Sequence, residues 1–339
     1  MRNHLFTSLL ATLIPIRLAA AQPTVRVVVD SAREEIVLSV GPIDITPATP
    51  YTHHAAEAYH VIQWPVSGWL RGYRVDLVDS AGRLLPRELL HHAGMANLDR
   101  RQVAYPIAER VFAAAHETAP VVLPKAMGLP LSAEQRMVLY YGLVNPDTVA
   151  IRGAVLQVRI RWAHANARGI TAILPFYANA RELASETISF DVPIGRSATA
   201  SEFTVSTNGW LRVVGGHLHD HGVELRIEDA ESNKVLARVR GKRTADGRLV
   251  DVSRARFPLK RRGLRLRADH RYRVVAVYDN PTGRVIEGGA MGFVAGAFIP
   301  ENVGALERVD ANDVAYARDA RMLLGGARTS GAASAHSHH

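Results

Sequence analysis

A long succession of short segments, each alternating apolar and polar residues, is the strongest constraint on how this chain folds. Such alternation places one set of side chains in a core and the other set toward solvent, which is typical of β-strands. Compact turn signals such as Asp79–Gly82 and Asp279–Gly283 separate these segments. Many short strands with few long helical patterns predict antiparallel β-sandwiches rather than a parallel sheet. Clear examples are "VRVVVD", "YRVDLVD", "VELRIED" and "RYRVVAVYD".

Two stretches depart from this strand pattern. Tyr105–Pro120 is rich in alanine, and its composition fits a helix as well as a strand followed by a loop. The second stretch, "DANDVAYARDARMLLGGA", predicts a short C-terminal helix. Asp310 or Asn312 is suited to begin this helix, and Gly325 with Gly326 is suited to end it.

A change in composition near Asp191–Phe203 predicts a boundary between two domains. The fold class that we predict is therefore all-β, with an N-terminal β-sandwich over residues 22–192 and a C-terminal one over residues 193–300. Residues 301–339 are predicted to form the helix and a disordered, histidine-containing tail. The sequence "GWLR" occurs at Gly68–Arg71 and again at Gly209–Arg212, which is consistent with tandem related domains.

The first 21 residues have the layout of a secretory signal peptide. Arg2 precedes an apolar run from Leu5 to Ile16, and small residues at Ala19–Ala21 form a cleavage site. A retained membrane anchor is the alternative, although the run is short for a helix that needs about 20 apolar residues to span a bilayer. Either interpretation predicts a periplasmic or extracellular protein, which is membrane-associated if the anchor is retained. The chain contains no cysteine, so cysteine-based metal sites and disulfides are excluded.

The positive charge of the chain is concentrated in one region. The formal net charge is +9, and much of the excess falls in the segment Arg254–Arg273. Arg265 and Arg267 alternate there with Leu264 and Leu266, as on the solvated face of a half-buried strand. The alternative is a patch that binds an acidic protein or an anionic membrane surface. A nucleic-acid partner is not expected, because the segment lacks the interleaved aromatic residues of nucleic-acid-binding motifs.

Three histidines at alternate positions in "GGHLHDHG" suggest a metal site. Alternate residues on a strand share one face about 6 to 7 Å apart, so the imidazoles of His217 and His219 can converge on one ion while Leu218 enters a core. His221 is a weaker candidate, because Gly222 indicates that the strand ends there. The alternative is that the histidines only cap a hairpin.

Two further segments supply candidate metal ligands. Met291 follows two glycines and opens an apolar strand, and a thioether beside two imidazoles favours copper over zinc or magnesium. Packing of Met291 in a core is the alternative. The adjacent pair His91 and His92 is a weaker candidate, since neighbouring residues on a strand face opposite sides unless the chain bends.

Taken together, these segments resemble the copper type II, ascorbate-dependent monooxygenases, the group that includes the peptidylglycine α-hydroxylating enzymes. The matching elements are the pair His91 and His92, the pair His217 and His219, and the later Met291. The resemblance covers roughly residues 55 to 300 and implies two jelly-roll-like sandwiches. It also implies one copper held by His217, His219 and Met291, and a second, electron-supplying copper at His91 and His92.

The chain departs from that family at the second copper and at the substrate site. The family's third histidine is missing from Met137–Trp162, where Asn145 and Arg159 occupy plausible places, and its substrate-gripping arginine is Gly215 here. We therefore predict an exported, non-catalytic protein that binds copper at one site or docks on a periplasmic or membrane assembly. The alternative is an active copper- and ascorbate-dependent monooxygenase. Nothing in the sequence names a substrate.

Overall fold

The computed structural model describes residues 23–47, 56–183, 188–257, 263–302 and 308–324. The predicted leader at residues 1–21, the tail from residue 325 and the basic residues 260–262 lie outside these ranges, so the predictions on them stay predictions. Within the described ranges, none of the helical structure is long and apolar enough to cross a bilayer.

The chain folds almost entirely into β-strands. The earlier strands are β1 (Thr24–Asp30), β2 (Glu35–Ile45), β3 (Ala56–Gln63), β4 (Gly68–Val78), β5 (Leu90–Arg101), β6 (Ala108–Ala114), β7 (Val121–Val122), β8 (Met127–Leu131), β9 (Arg136–Leu143), β10 (Ile151–His164) and β11 (Thr171–Ala172). The later strands are β12 (Leu174–Asn179), β13 (Phe190–Val192), β14 (Gly195–Phe203), β15 (Gly209–Leu218), β16 (Gly222–Asp229), β17 (Val235–Arg243), β18 (Leu249–Val252), β19 (Ala255–Arg256), β20 (Leu264–Leu266), β21 (Tyr272–Asn280), β22 (Ile286–Ala290) and β23 (Gly292–Pro300). A 3₁₀ helix at Arg87–Leu89 precedes β5, and the helix α1 (Val314–Leu323) follows the last strand.

The strands form two tandem β-sandwiches, as predicted. Within the described ranges, the first sandwich packs a seven-stranded sheet (β1-β2-β10-β4-β8-β11, with β7 beside β4) on a four-stranded sheet (β3-β9-β5-β6). The second packs β12-β23-β15-β19, with β20 beside β15, on β14-β21-β16-β17-β18. Neighbouring strands pair antiparallel except β11 with β8, which are parallel. The prediction of two antiparallel, jelly-roll-like sandwiches with a short C-terminal helix is confirmed.

The sheets of the second sandwich begin earlier in the chain than residue 193. Strand β12 pairs with β23 from Leu174 opposite Phe298 to Asn179 opposite Phe293. Strand β13 pairs with β22, also in the second half of the chain. We therefore describe each sandwich by its sheets, and the domain boundary after residue 192 stays a prediction.

Alternation along the strands builds the two cores. In β2, Ile36, Leu38 and Val40 are fully buried in the first core while the residues between them are only half-buried. In β16, Leu225 and Ile227 have the same role in the second core. Burial of such a side chain stabilises a fold by about 1.5 to 3 kcal/mol, so the period of two is enforced by the hydrophobic effect.

Both non-strand predictions are resolved by the structure. Tyr105–Pro120 is not a helix: it contains β6 and a loop, as in the second of the two alternatives. The C-terminal helix exists, but neither Asp310 nor Asn312 caps it. Asp313 is the N-cap, and its carboxylate accepts hydrogen bonds from the backbone N–H groups of Ala315 and Tyr316.

The outer face of the four-stranded sheet is covered from two sides. Helix α1 packs on it through Tyr316 and Leu323, in a small cluster with Leu98 and Val138. Beside the helix, Tyr177 of β12 stacks under the guanidinium of Arg110 of β6, 5.9 Å from the ring centroid. This contact joins the two sandwiches. We call the whole boundary along which the two sandwiches meet, including the edge next to helix α1, the seam.

Candidate functional site

The histidines singled out in the sequence meet at the seam. His91 and His92 lie at the start of β5 in the first sandwich, whereas His217 lies near the end of β15 in the second and His219 directly follows that strand. The ring centroids of His91 and His92 are 5.3 Å apart, those of His91 and His219 are 5.7 Å apart, and those of His217 and His219 are 5.1 Å apart. We refer to these four residues as the histidine cluster.

Local backbone structure brings each pair together. Leu218 is buried in the second core, so its neighbours His217 and His219 both face away from that core. The pairing of β5 with β9 shifts register between Leu90 and His92. This irregularity lets two adjacent side chains approach each other, which a regular strand would forbid.

His217 is held by a carboxylate from the first sandwich. Its Nδ1 lies 2.7 Å from Oε1 of Glu117, and the side chains are only 12% and 3% exposed. Burial raises the pKa of Glu117, but hydrogen bonding and the charges of His217 and His116 outweigh this effect, so the pKa lies below its ordinary value. Glu117 is therefore a buried carboxylate that stays ionised and orients the imidazole of His217.

Arg87 fixes the loop that carries Glu117. Its guanidinium donates hydrogen bonds to the carbonyl oxygens of Ala115, His116 and Thr118, at 2.8 to 3.1 Å. It also donates to the carbonyl oxygen of Val75 in β4. One arginine thereby satisfies the backbone of the loop and positions Glu117 against the second sandwich.

His219 and Met291 share one anchor. The hydroxyl of Tyr278 accepts hydrogen bonds from the backbone N–H groups of His219, at 3.0 Å, and Met291, at 3.2 Å. The same hydroxyl donates to the carbonyl oxygen of Met291. His219 Nδ1 lies 3.2 Å from the carbonyl oxygen of Gly289, which can only accept. Met291 lies between β22 and β23 rather than opening a strand, and it is half-buried.

His221 lies outside the histidine cluster. It adopts a left-handed turn conformation with φ of 66°, and its backbone bonds to Gly247 and Asp279 hold the turn between β15 and β16. Its ring packs so closely over Gly247 that a Cβ there would collide with the imidazole. The prediction that the strand ends before His221 is consistent with this geometry.

Tyrosines and one ion pair extend the buried polar surface beyond the histidines. The ring of His92 lies 6.3 Å from that of Tyr140, whose pKa is raised by burial. Arg110, next along the seam, forms an ion pair with Asp319 of α1. The seam therefore joins both sandwiches and the helix through titratable side chains.

The positions that the resemblance left open have structural explanations. Asn145 is fully buried, and its amide donates to the carbonyl oxygens of Ile45 and Val149. Arg159 pairs with Glu35 on the surface, 3.2 Å away. A Cβ at Gly215 would make only ordinary van der Waals contact, 3.6 Å from Cγ of Arg254, so packing does not require glycine at this position.

Four arginines of the basic segment Arg254–Arg273 form ion pairs in the folded chain. Arg265 pairs with Glu301, Arg267 with Asp269, and both Arg271 and Arg273 with Glu202. These contacts agree with the solvated-strand interpretation. An acidic protein or anionic membrane as partner stays a prediction.

Sequence reasoning missed Glu117 and Arg87. Glu117 lies in an alanine-rich stretch, 100 residues before the histidine it binds. No local period connects the two, because the contact depends on how one sandwich packs on the other. The adjacent His116 lies 3.5 Å from the second oxygen of Glu117. The sequence pattern did not indicate this contact either.

The histidine cluster is not a finished metal site in this arrangement. Within the described part of the chain, no three His, Asp or Glu side chains already converge as ligands of one ion. The cluster also differs from the arrangement that the resemblance implies. The two pairs assigned there to separate copper ions form one continuous row of rings here.

No protein-family model matches the chain, and no curated protein is detectably similar in sequence. Solved structures with a similar arrangement of strands include PNGase F from Flavobacterium meningosepticum, at 10% identity over 79% of this chain and 96% of that chain, with a TM-score of 0.40. Two others are the STIV MCP, at 9% identity over 74% and 94% with a TM-score of 0.39, and the major capsid protein P2 of bacteriophage PM2, at 9% identity over 77% and 98% with a TM-score of 0.37. Such remote likenesses say nothing about activity. None of them points to a copper monooxygenase, and the predicted membership of that family is wrong.

Proposed function

We propose that this protein binds a copper ion at the seam through His91, His217 and His219, and that it does so without catalysing a reaction. The observation that carries the proposal is the approach of imidazoles from both sandwiches, with ring centroids 5.1 and 5.7 Å apart. Binding there would link the two sandwiches through the metal.

The spacing of the rings suits a shared ion. Two imidazoles bound tetrahedrally through nitrogen at about 2.0 Å from one ion place their ring centroids about 5 to 5.5 Å apart. The spacings of 5.7 Å between His91 and His219 and 5.1 Å between His217 and His219 lie at or close to this range.

Hydrogen bonds already select the nitrogens that would bind. Nδ1 of His217 faces a carboxylate and Nδ1 of His219 faces a carbonyl oxygen, so in both rings Nδ1 carries the proton. Nε2 is then the nitrogen of each ring that would bind a metal ion. Metal-binding histidines commonly donate their other ring N–H to a carboxylate or carbonyl in this way.

The donor set favours copper. Soft ligands select Cu(I), and imidazole suits copper as well as zinc. The backbone N–H groups of Met291 and His219 both bond to the hydroxyl of Tyr278, and this shared contact supports including the Met291 thioether in the proposal. Magnesium prefers oxygen ligands such as carboxylates. The carboxylate of Glu117 is hydrogen-bonded to His217, so this site does not favour magnesium.

One cleft in the described part of the chain lies away from the histidine cluster. A surface cleft of about 580 Å³ is lined by Arg101, Ser206 and Asp313, and not by any member of the histidine cluster. Export to the periplasm or cell exterior is part of the proposal only through the leader-like residues 1–21.

The test is copper binding by the full chain, measured by elemental analysis after dialysis and by competition with a Cu(I) chelator. His336, His338 and His339 are replaced by alanine throughout, so that the tail histidines cannot scavenge metal. We expect one bound copper in this background, and its loss when His217→Ala and His219→Ala are added.

The matched control replaces two histidines outside the cluster, His164→Ala with His270→Ala. We expect this variant to retain its copper. Equal copper content in the cluster variant and the background would overturn the proposal. A further variant, Met291→Leu, is expected to weaken Cu(I) binding while leaving zinc binding by the imidazoles in place.

A further inference from the structure

Strand β1 lies at the edge of the seven-stranded sheet. It pairs with β2 without interruption, from Thr24 opposite Gly41 to Asp30 opposite Glu35. No other described strand pairs with β1, so its second edge faces away from the sheet. An edge strand presents backbone N–H and C=O groups that can pair with another strand.

This edge has few of the usual defences against pairing. Natural edge strands are commonly blunted by proline, lysine or a bulge. β1 has the sequence "TVRVVVD", and its pairing with β2 shows no register shift. Val28 is 41% exposed on the outer face, whereas Val25, Val27 and Val29 pack against the first core.

We propose that β1 pairs antiparallel with β1 of a second copy of this chain, about a two-fold axis at Val28. In this register Arg26 of each copy lies directly opposite Asp30 of the other, and Val28 lies opposite Val28. Directly opposed residues share a face of the sheet, so both Arg26–Asp30 pairs form on the outer face.

The charges select this register over its neighbour. A two-fold axis at Val27 would place Arg26 opposite Val28 and leave Asp30 opposite Thr24, without any charge pair. With the axis at Val28, Val27 lies opposite Val29 on the core-facing side, so the valine layer of one sandwich continues into the other. Asp30 also accepts hydrogen bonds from the backbone N–H of Arg33 at 3.0 Å and from its guanidinium at 3.4 Å, but the Asp30 side chain is still 33% exposed.

The experiment uses charge reversals that are mutually complementary. Arg26→Asp alone puts two acids opposite each other, and Asp30→Arg alone puts two bases opposite each other. A mixture of these two variants restores both opposite-charge pairs in a heterodimer. We measure mass by sedimentation over a range of concentrations for the full chain, each variant and the mixture, with circular dichroism to check folding.

We expect a concentration-dependent dimer for the unaltered chain, about tenfold weaker self-association for each single variant, and recovery on mixing. The control Arg196→Asp, on the exposed edge strand β14 of the second sandwich, is expected to leave association unchanged. A monomer at all concentrations, which would leave this edge to some other partner, overturns the proposal. So does a mixture that associates no better than its components.

Discussion

Two polar regions of this protein are built differently, the seam and a charge ladder on the outer face of the second sandwich. The ladder runs across four neighbouring strands, with glutamates and arginines in alternation. Its members are Arg271, Glu202, Arg273, Glu228, Arg226, Glu224 and Arg238. Each of these residues contacts a partner on its own or the adjacent strand, so strand register alone brings them together.

The seam depends on the packing of whole sandwiches instead. Glu117 and His217 are 100 residues apart and belong to different sandwiches. His91 and His219 likewise approach each other from different sandwiches. In the ladder, solvent reaches the arginines and screens their charges, whereas the Glu117–His217 pair is almost fully buried. A polar group therefore contributes most to the stability of the fold where its removal leaves a buried partner without a counter-charge.

The largest expected effect is at the helix side of the seam. Asp319 of α1 accepts hydrogen bonds from the backbone of Ala108 and from the guanidinium of Arg110. Asp319→Ala leaves Arg110 buried without its counter-charge, so we expect the free energy of unfolding in urea to fall by about 3 kcal/mol or more. The exposed Asp310→Ala, in the segment before the same helix, is the control and is expected to cost about 1 kcal/mol or less. Similar losses in both variants would contradict the distinction.

An intermediate effect is expected at Glu117. Glu117→Gln keeps the shape of the side chain but removes the charge that orients His217. On the proposed function, we expect copper affinity to fall about 10- to 100-fold with the fold intact, since carboxylates behind metal-binding histidines have effects of this size. The same change at an exposed glutamate, Glu182→Gln, serves as control and is expected to leave the affinity near that of the unaltered chain. An unchanged affinity in Glu117→Gln would show that the carboxylate does not position the ligand.

The smallest effect is expected in the ladder. Arg226 bridges Glu228 at 3.0 Å and Glu224 at 3.6 Å, and its side chain is 26% exposed. Because Glu224 keeps Arg238 and Glu228 keeps Arg273 as partners, and solvent reaches the arginines, Arg226→Ala is expected to lower the free energy of unfolding by about 1 kcal/mol. We expect 1 M salt to reduce that difference, and to leave the Asp319→Ala difference largely unchanged. A salt-independent loss as large as that of Asp319→Ala would remove the contrast between the two regions.

Local patterns predicted a large part of the fold. Alternation in β2 and β16 predicted the strands, and Leu218 between two outward histidines followed from the same period of two. The short helix was also predicted, although its cap is Asp313 rather than Asp310 or Asn312. Acidic residues at closely spaced positions offer similar caps, and only the backbone geometry distinguishes them.

Family membership could not be obtained from short motifs. Two histidine pairs and a methionine in a given order suggested copper monooxygenases, but a few residues over more than 200 positions constrain little of the fold around them. The row of rings at the seam differs from two separated copper sites, although the individual residues match.

By itself, the sequence determined that this chain forms β-sandwiches, because the period of two and the burial of apolar side chains act between near neighbours. It also indicated that His217 and His219 flank the buried Leu218. Only the tertiary structure decided that His91 meets His219, that Glu117 holds His217 and that β1 remains an edge strand. These contacts join distant segments, and they depend on which sheet faces pack together. That choice is made by the summed burial of both sandwiches and not by any local segment.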